Sequence, residues 1–271
     1  MPNRLQHHDE EVGIGEGVRD KDEYPIQSIS YSHRRRDGQI MEMLAKPKIS
    51  ALTPEQLLGP LNDVERKYAP VRLYTAGPLH VPLPRPRAAI IGSRKASEKG
   101  LEVAAELART LVRKKVLVVS GLAEGIDTAG HRAAIDAGGR TVAVLGTPLD
   151  RVYPKKNALL QGEIMKNHIA ISQFPIGYPI QRQNFVMRNR TMALIANVSI
   201  IVEAGETSGS LHQGWEALRL GRPLLIWTDL FRSSLNWPRR MMRYGALELT
   251  NPEQVLDLLP SREKIVIKVS R

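Results

Sequence analysis

Four apolar runs in this chain end in turns rich in glycine and serine. Gly92-Ser93-Arg94 follows AAII (88–91), and Ser120-Gly121-Leu122-Ala123-Glu124-Gly125-Ile126-Asp127 follows VLVV (116–119). Gly146-Thr147-Pro148 follows TVAVL (141–145), and Glu203-Ala204-Gly205-Glu206-Thr207-Ser208-Gly209-Ser210 follows VSIIV (198–202). Glycine lets a backbone turn sharply and approach a ligand closely. A helix opening after such a turn presents N–H groups suited to an anion. One such turn is ordinary, but four on one edge of a sheet make an anion-binding rim. Cations stand close by: Arg94 within the first turn, Arg151-Val152-Tyr153-Pro154-Lys155-Lys156-Asn157 after the third run, and Asn184-Phe185-Val186-Met187-Arg188-Asn189-Arg190 further on. An arginine fork matches phosphate geometry. The competing reading of these side chains is a solvated basic surface.

Other chemistries lack their signatures. The sequence has no cysteine, which removes disulfides, thiolate metal sites and a thiol nucleophile. It contains no GxxxxGK[ST], HExxH or GxSxG, so the P-loop, zincin and hydrolase-elbow signatures are all missing. GIGEGV (13–18) has neither the spacing nor the preceding strand of a dinucleotide fingerprint. Asp127 is placed to cap the helix that follows it. His131 reads either as a catalytic base or as a brace for the 120–127 loop, and Glu203 with Glu216 either as a hydrolytic pair or as loop support. We expect no catalytic residue, no metal and no cofactor.

The sequence has 271 residues and a formal net charge of +11. Charge alone leaves nucleic acid and a merely basic surface equally open. Its distribution says more: residues 1–50 carry 8 positive and 9 negative charges, 85–115 carry 9 against 3, and 151–190 carry 7 against 1. The excess therefore gathers around the glycine-rich turns. No apolar run reaches the roughly 18–20 residues of a membrane span, and MPNRLQHHDEE has no secretory apolar core. A soluble cytoplasmic protein is the expectation.

The turns need elements to position them. The runs at 88–91, 116–119, 141–145, 169–172, 198–202 and 223–227 lack polar alternation, as strands buried on both faces do. Helical segments are predicted between them at 97–113, 128–137, 156–167, 187–196 and 211–220, with a stripe of Leu101, Ala104, Ala105, Ala108, Leu111 and Val112 in the first. A helix is also expected over 53–68 and another, Asn-capped, over 251–259, with a short strand at 72–74. Trp215 and Trp227 are expected in the core. Strand–helix alternation predicts an α/β fold with a doubly wound, mostly parallel sheet and helices on both faces. We divide the chain into a polar extension without regular structure at 1–50, a lead-in at 51–86, and the sheet domain at 87–271.

Longer motifs carry a family resemblance. IIGSRKASEKG (90–100), VVSGLAEGIDTAGHRAA (118–134), GGRTVAVLGTPLDRVYPKKN (138–157), the F-x-x-RNR element (185–190) and VEAGETSGSL (202–211) resemble, in order and spacing, the DNA-processing protein A family, also called DprA or Smf. LYTAG (73–77) and YGALELTNPEQVLDLL (244–259) extend the likeness over about 70–260. The resemblance implies an extended Rossmann-like fold related to the Lonely Guy superfamily. It implies a homodimer that binds single-stranded DNA in a basic pocket, protects it and loads a RecA-type recombinase. Carried over motif by motif, the implied contacts are Gly92, Ser93, Arg94, Ser120, Gly121, Lys155, Lys156, Asn157, Arg188, Arg190, Ser208, Gly209 and Ser210. Gly125, Asp127, His131 and Glu203 would support the pocket. The chain departs from the family pattern at Glu124, Met187 and Pro148, and it has no winged-helix segment after the closing helix. Two other uses of the same rim are a sensor of a nucleotide-derived signal and a nucleoside-monophosphate-cleaving enzyme, though the PGGxGT loop of the latter is missing.

Overall fold

The structure is a computed structural model that describes residues 48–78 and 80–260; the GIGEGV segment lies outside these. Nine strands of the described residues form one sheet. They are β1 (Ile49–Leu52), β2 (Leu73–Ala76), β3 (Arg87–Gly92), β4 (Leu117–Ser120), β5 (Thr141–Leu145), β6 (Ile169–Ser172), β7 (Val198–Glu203), β8 (Leu224–Trp227) and β9 (Leu247–Leu249). Their spatial order is β1-β2-β6-β5-β4-β3-β7-β8-β9. From β6 across to β9 every neighbouring pair is parallel. Two antiparallel strands are added at one edge, with Thr75 opposite Ile171 and Ser50 opposite Thr75; β1 begins at Ile49, inside the stretch expected to lack regular structure and two residues before the expected lead-in.

The apolar runs behave as buried strands should: β4, β5 and β6 are buried along their whole length. Because successive side chains alternate across a strand, Ile90, Val118 and Ile200 join one face of the core while Ile91, Val119 and Ile201 join the other. Helices α3 (Glu98–Arg113) and α4 (Ile126–Asp136) cover the first face; α6 (Arg182–Ile195) and α7 (Ser210–Arg219) cover the second. Helix α5 (Ala158–Asn167) lies over β5 and β6 through Leu160, Ile164 and Met165. The doubly wound arrangement read from the sequence is therefore present.

Several boundaries differ from expectation. The helix expected over 53–68 is two, α1 (Pro54–Leu58) and α2 (Asp63–Tyr68), each opened by its own capping box. Gly59-Pro60 between them ends the first, since proline cannot continue a helix. Helix α6 starts five residues before the expected 187, because its first turn is polar and gave no apolar period. The closing helix is a 3₁₀ segment, Pro252–Leu258. In α3 the buried stripe runs through Val103, Ala104, Leu107, Ala108 and Leu111, leaving Leu101, Ala105 and Val112 at its margin. Trp215 and Trp227 are half-buried and not fully enclosed.

Arg87 opens β3 with its side chain wholly buried. Its Nε donates to Ile195 O at 2.6 Å and its Nη1 to Leu83 O at 2.8 Å. Burial pulls the guanidinium down to about 9, with no carboxylate among the described residues bonded to it. The side chain thus ties the end of α6 and the proline-rich connector to the start of the sheet. Replacing it strands two buried carbonyls at a cost of ~1–3 kcal/mol each. Arg87→Met should lower the unfolding free energy in urea by about 3 kcal/mol with an unchanged m-value.

Candidate functional site

The strand order reverses between β3 and β7: β4, β5 and β6 run out on one side of β3, β7, β8 and β9 on the other. In an open parallel sheet the carboxyl ends at such a switch point frame a ligand crevice. A cavity of about 580 Å³ lies there. Its wall includes Gly92, Ser93 and Arg94 after β3, Arg188 from α6, and Ser208, Gly209 and Ser210 at the start of α7. These seven residues, scattered over nearly 120 positions in sequence, were all among the expected contacts.

The turn after β3 is fixed by β7 and α4. Parallel pairing slips register between Ile91 and Gly92. Ser93 N then donates to Glu203 O at 2.6 Å, and Ser93 O accepts from Ile126 N at 3.2 Å. Gly125, with φ of +74°, makes this approach possible, since a Cβ there would run into Ser93 O. The Glu203 carboxylate accepts from Ser97 N and Ser97 Oγ, at 3.1 and 2.6 Å. It thereby ties the end of β7 to the start of α3 and occupies a donor there that a ligand would otherwise meet. On the far side, Asn189 Nδ2 donates to Gly209 O at 2.9 Å and the Ser208 and Ser210 hydroxyls pair at 2.7 Å.

Beneath the loop after β4 lies an ion pair. Arg188 and Asp127 are both buried, with Nη1 3.9 Å from Oδ2. Nη1 also donates to Val144 O at 3.2 Å, and Nε has no hydrogen-bond partner among the described residues. Asp127 does not cap α4. Gly125 occupies that position, and the Asp127 carboxylate turns back to accept from Gly121 N and Ala123 N, each at 3.2 Å. Burial pushes the Asp127 carboxyl up and the Arg188 guanidinium down, and each partner opposes the other's shift. A side chain on Gly121 would overlap the guanidinium.

Other expected contacts sit elsewhere. Ser120 is buried and its hydroxyl donates to Ile90 O at 2.6 Å. Asn157 is buried too; its Nδ2 donates to Leu122 O at 2.9 Å and Thr128 Oγ1 at 2.8 Å. Leu122 has φ of +61°, a conformation costly for a side-chain-bearing residue, so Asn157 holds the strained loop. Arg190 faces away and pairs with Glu216 at 3.4 Å. Helical phase accounts for this: two positions on from Arg188 is the far side of α6. Lys155 is exposed outside the cavity wall. Lys156 pairs with Glu124 at 3.2 Å, beside a smaller cavity of about 50 Å³ walled by Arg94, Gly121, Tyr153 and Phe185. The acid that departs from the family pattern is therefore partnered locally, though an exposed pair of this kind is weak.

Sequence reasoning passed over Lys95, Phe185, Thr207, His212 and Gln213, which also line the large cavity. Phe185 sits 5.8 Å below the Arg94 guanidinium. Gln213 lies one helical turn from Gly209, and that spacing was the available signal. Among the described residues no group of three or more acids and histidines could hold a metal ion, and no helix is long and apolar enough to cross a membrane.

Residues 54–260 match the family described as DNA recombination-mediator protein A. A putative DNA processing protein DprA of Mycobacterium tuberculosis is 36% identical over 194 residues, 71% of this chain and 50% of that protein; this chain thus spans half the length of that relative. The structure of DNA processing protein A from Streptococcus pneumoniae covers 83% of this chain and 78% of its own, with 29% identity and a TM-score of 0.66. That of Helicobacter pylori, which describes a single-stranded DNA binding mode of that protein, covers 79% and 96% with 23% identity and a TM-score of 0.65, and shows the shared fold.

His131 makes a measurable pH signature behind the site. It is fully buried and its Nδ1 lies 2.7 Å from Thr141 Oγ1, whose single proton goes to Val118 O. Nδ1 is therefore the donor, and burial keeps the ring neutral. It braces the strands behind the 120–127 loop, tying α4 to β4 and β5. Burial lowers its pKa from 6.5 to about 3. A lowered folded-state value adds stability above the ordinary pKa that is lost as pH falls. Unfolding free energy should decline between about pH 6.5 and pH 3, by up to about 1.4 kcal/mol per unit for this group. Urea titrations of His131→Gln should show a flatter decline over the same window.

Proposed function

The chain belongs to the DNA recombination-mediator protein A family, and on that premise we propose that it binds single-stranded DNA in the crevice between β3 and β7. The observation that carries the reading is the meeting of Arg94, Arg188 and three glycine- or serine-bearing turns at one switch-point cavity. Exposed Arg94 presents its fork to the solvent side of a phosphate, while Arg188 holds positive charge beneath the floor. Backbone amides and arginines grip a phosphate chain whatever its bases. The role is binding without covalent chemistry.

Family membership extends the proposal: a homodimer that protects the strand and assists loading of a RecA-type recombinase. The single-stranded DNA bound by the Helicobacter pylori protein supports the same ligand here. Glu124 lowers the positive charge next to Arg94, and Lys156 offsets it, so the mouth stays cationic.

Fluorescence anisotropy of a labelled oligonucleotide across a salt series tests the reading. Log affinity should fall linearly with log salt, with a slope of about −0.7 per phosphate contacted. Arg94→Ala should weaken binding of all sequences by about tenfold and make the slope shallower by about 1. Binding that ignores salt, or a mononucleotide that competes at equal concentration, would turn the assignment toward a small-ligand sensor.

A further inference from the structure

We infer that Glu124, with Lys156 beside it, reads the unpaired edge of one base of a bound single strand and favours guanine. This deepens the proposed function and rests on it. The small cavity beside this pair shares Arg94, Ala123, Phe185 and Arg188 with the large one. A strand gripped by its phosphate at Arg94 therefore brings a neighbouring nucleotide to Glu124. An acid at the mouth of an anion crevice repels that phosphate. Its carboxylate gains only from a hydrogen-bond donor, and the deoxyribose and phosphodiester groups within a DNA chain carry none. The bases do, and in a single strand their Watson–Crick edges are open to side chains.

The pair is built to present both of its tips. Glu124 Oε2 accepts from Lys156 Nζ at 3.2 Å, and Oε1 has no hydrogen-bond partner among the described residues. The two side chains are 42% and 80% exposed, while the backbone under each is fixed. Ala123 N donates to Asp127 Oδ2 at 3.2 Å, and Ala123 O accepts from Thr128 Oγ1 at 2.7 Å. Asn157, next to Lys156, donates to Leu122 O at 2.9 Å. One network thus sets an acceptor and a cationic donor side by side from positions 32 residues apart, the preorganisation that recognition needs. The exposed Tyr153 ring walls the same cavity.

The edge that matches this pair is guanine's. It presents O6 as an acceptor, then N1–H and the N2 amine as donors. Lys156 donates to O6 while the two carboxylate oxygens accept from N1 and N2. Thymine offers an acceptor and a single donor. Cytosine and adenine each offer one amine, and the ring nitrogen beside it is an acceptor that meets the second carboxylate oxygen unfavourably. Bidentate contacts of this kind are the ones that separate bases.

The test compares three labelled strands of about 12 nucleotides on the full chain: oligothymidylate, a dT-dT-dG repeat, and the same repeat with inosine for guanine. Lithium salts keep the guanine strand from folding on itself. In a repeat, a shift of at most two nucleotides seats a guanine at the pair. Wild type should bind the guanine repeat about tenfold more tightly than the inosine repeat, which lacks only the N2 amine. Glu124→Ala should bind those two repeats alike, and it should unfold at the wild-type urea concentration, since only an exposed pair is lost. Lys156→Ala should weaken binding of every strand and keep the preference for guanine over inosine, because the carboxylate alone meets N2. Equal wild-type affinity for the two repeats, or a preference that survives Glu124→Ala, overturns the inference. So does an oligouridylate bound more tightly than oligothymidylate only while Glu124 is present, which would give the carboxylate to a ribose hydroxyl. Failure of wild type to bind any strand, with Arg94→Ala indistinguishable from it, would instead defeat the proposed function itself.

Discussion

A guanidinium buried beneath the floor of a site meant for anions is the constraint around which this crevice is built. Removing a charge from water costs several kcal/mol after relaxation, and among the described residues Arg188 recovers that through a distant carboxylate and one carbonyl. Satisfying it forces much of the local structure. Asp127 must sit at the start of α4, Gly121 must lack a side chain, and Leu122 must bend into a left-handed conformation. Asn157 then holds that bend from a separate segment. The pair does not argue for stability, since apolar replacements of buried ion pairs are often neutral or better. It argues for placement: positive charge fixed below the mouth, with Nε left without a hydrogen-bond partner among the described residues.

The architecture divides this work between neighbours in space and not in sequence. The turn after β3 is held by β7 and by α4, and the one after β7 is held by α6. Ser97 caps α3, and Glu203 at the end of β7 accepts from the Ser97 amide and hydroxyl, so this helix start is stabilised by the protein's own acid. What remains open toward solvent is Arg94, Lys95 and the serine-rich opening of α7.

Much of this was legible beforehand because its signal is local. Strands β5 and β6 lie where their apolar runs placed them, and the four glycine turns do converge on one edge. What escaped depends on partners far away in sequence. Arg188 and Arg190 look alike in the RNR motif, and only the phase of α6, whose polar first turn hides its start, separates the buried one from the one paired with Glu216. Ser120 and Asn157 have the composition of ligand contacts, yet each spends its donors on a carbonyl inside the fold. Strands β1 and β9 carry too few residues for period-two alternation, so their existence follows from the edges they cover.

The antiparallel edge has a kinetic meaning. Strand β2 leaves the ribosome before its partner β6, which follows roughly a hundred residues later. At ~5–20 residues per second that is a wait of about 5–20 s. Throughout it the lead-in has no sheet to join, and its buried Leu57, Leu58 and Leu73 have no core to enter. The lead-in, made before the strand it pairs with, is therefore among the last segments of the sheet to dock, and the edge of the sheet opposite β9 closes late in folding.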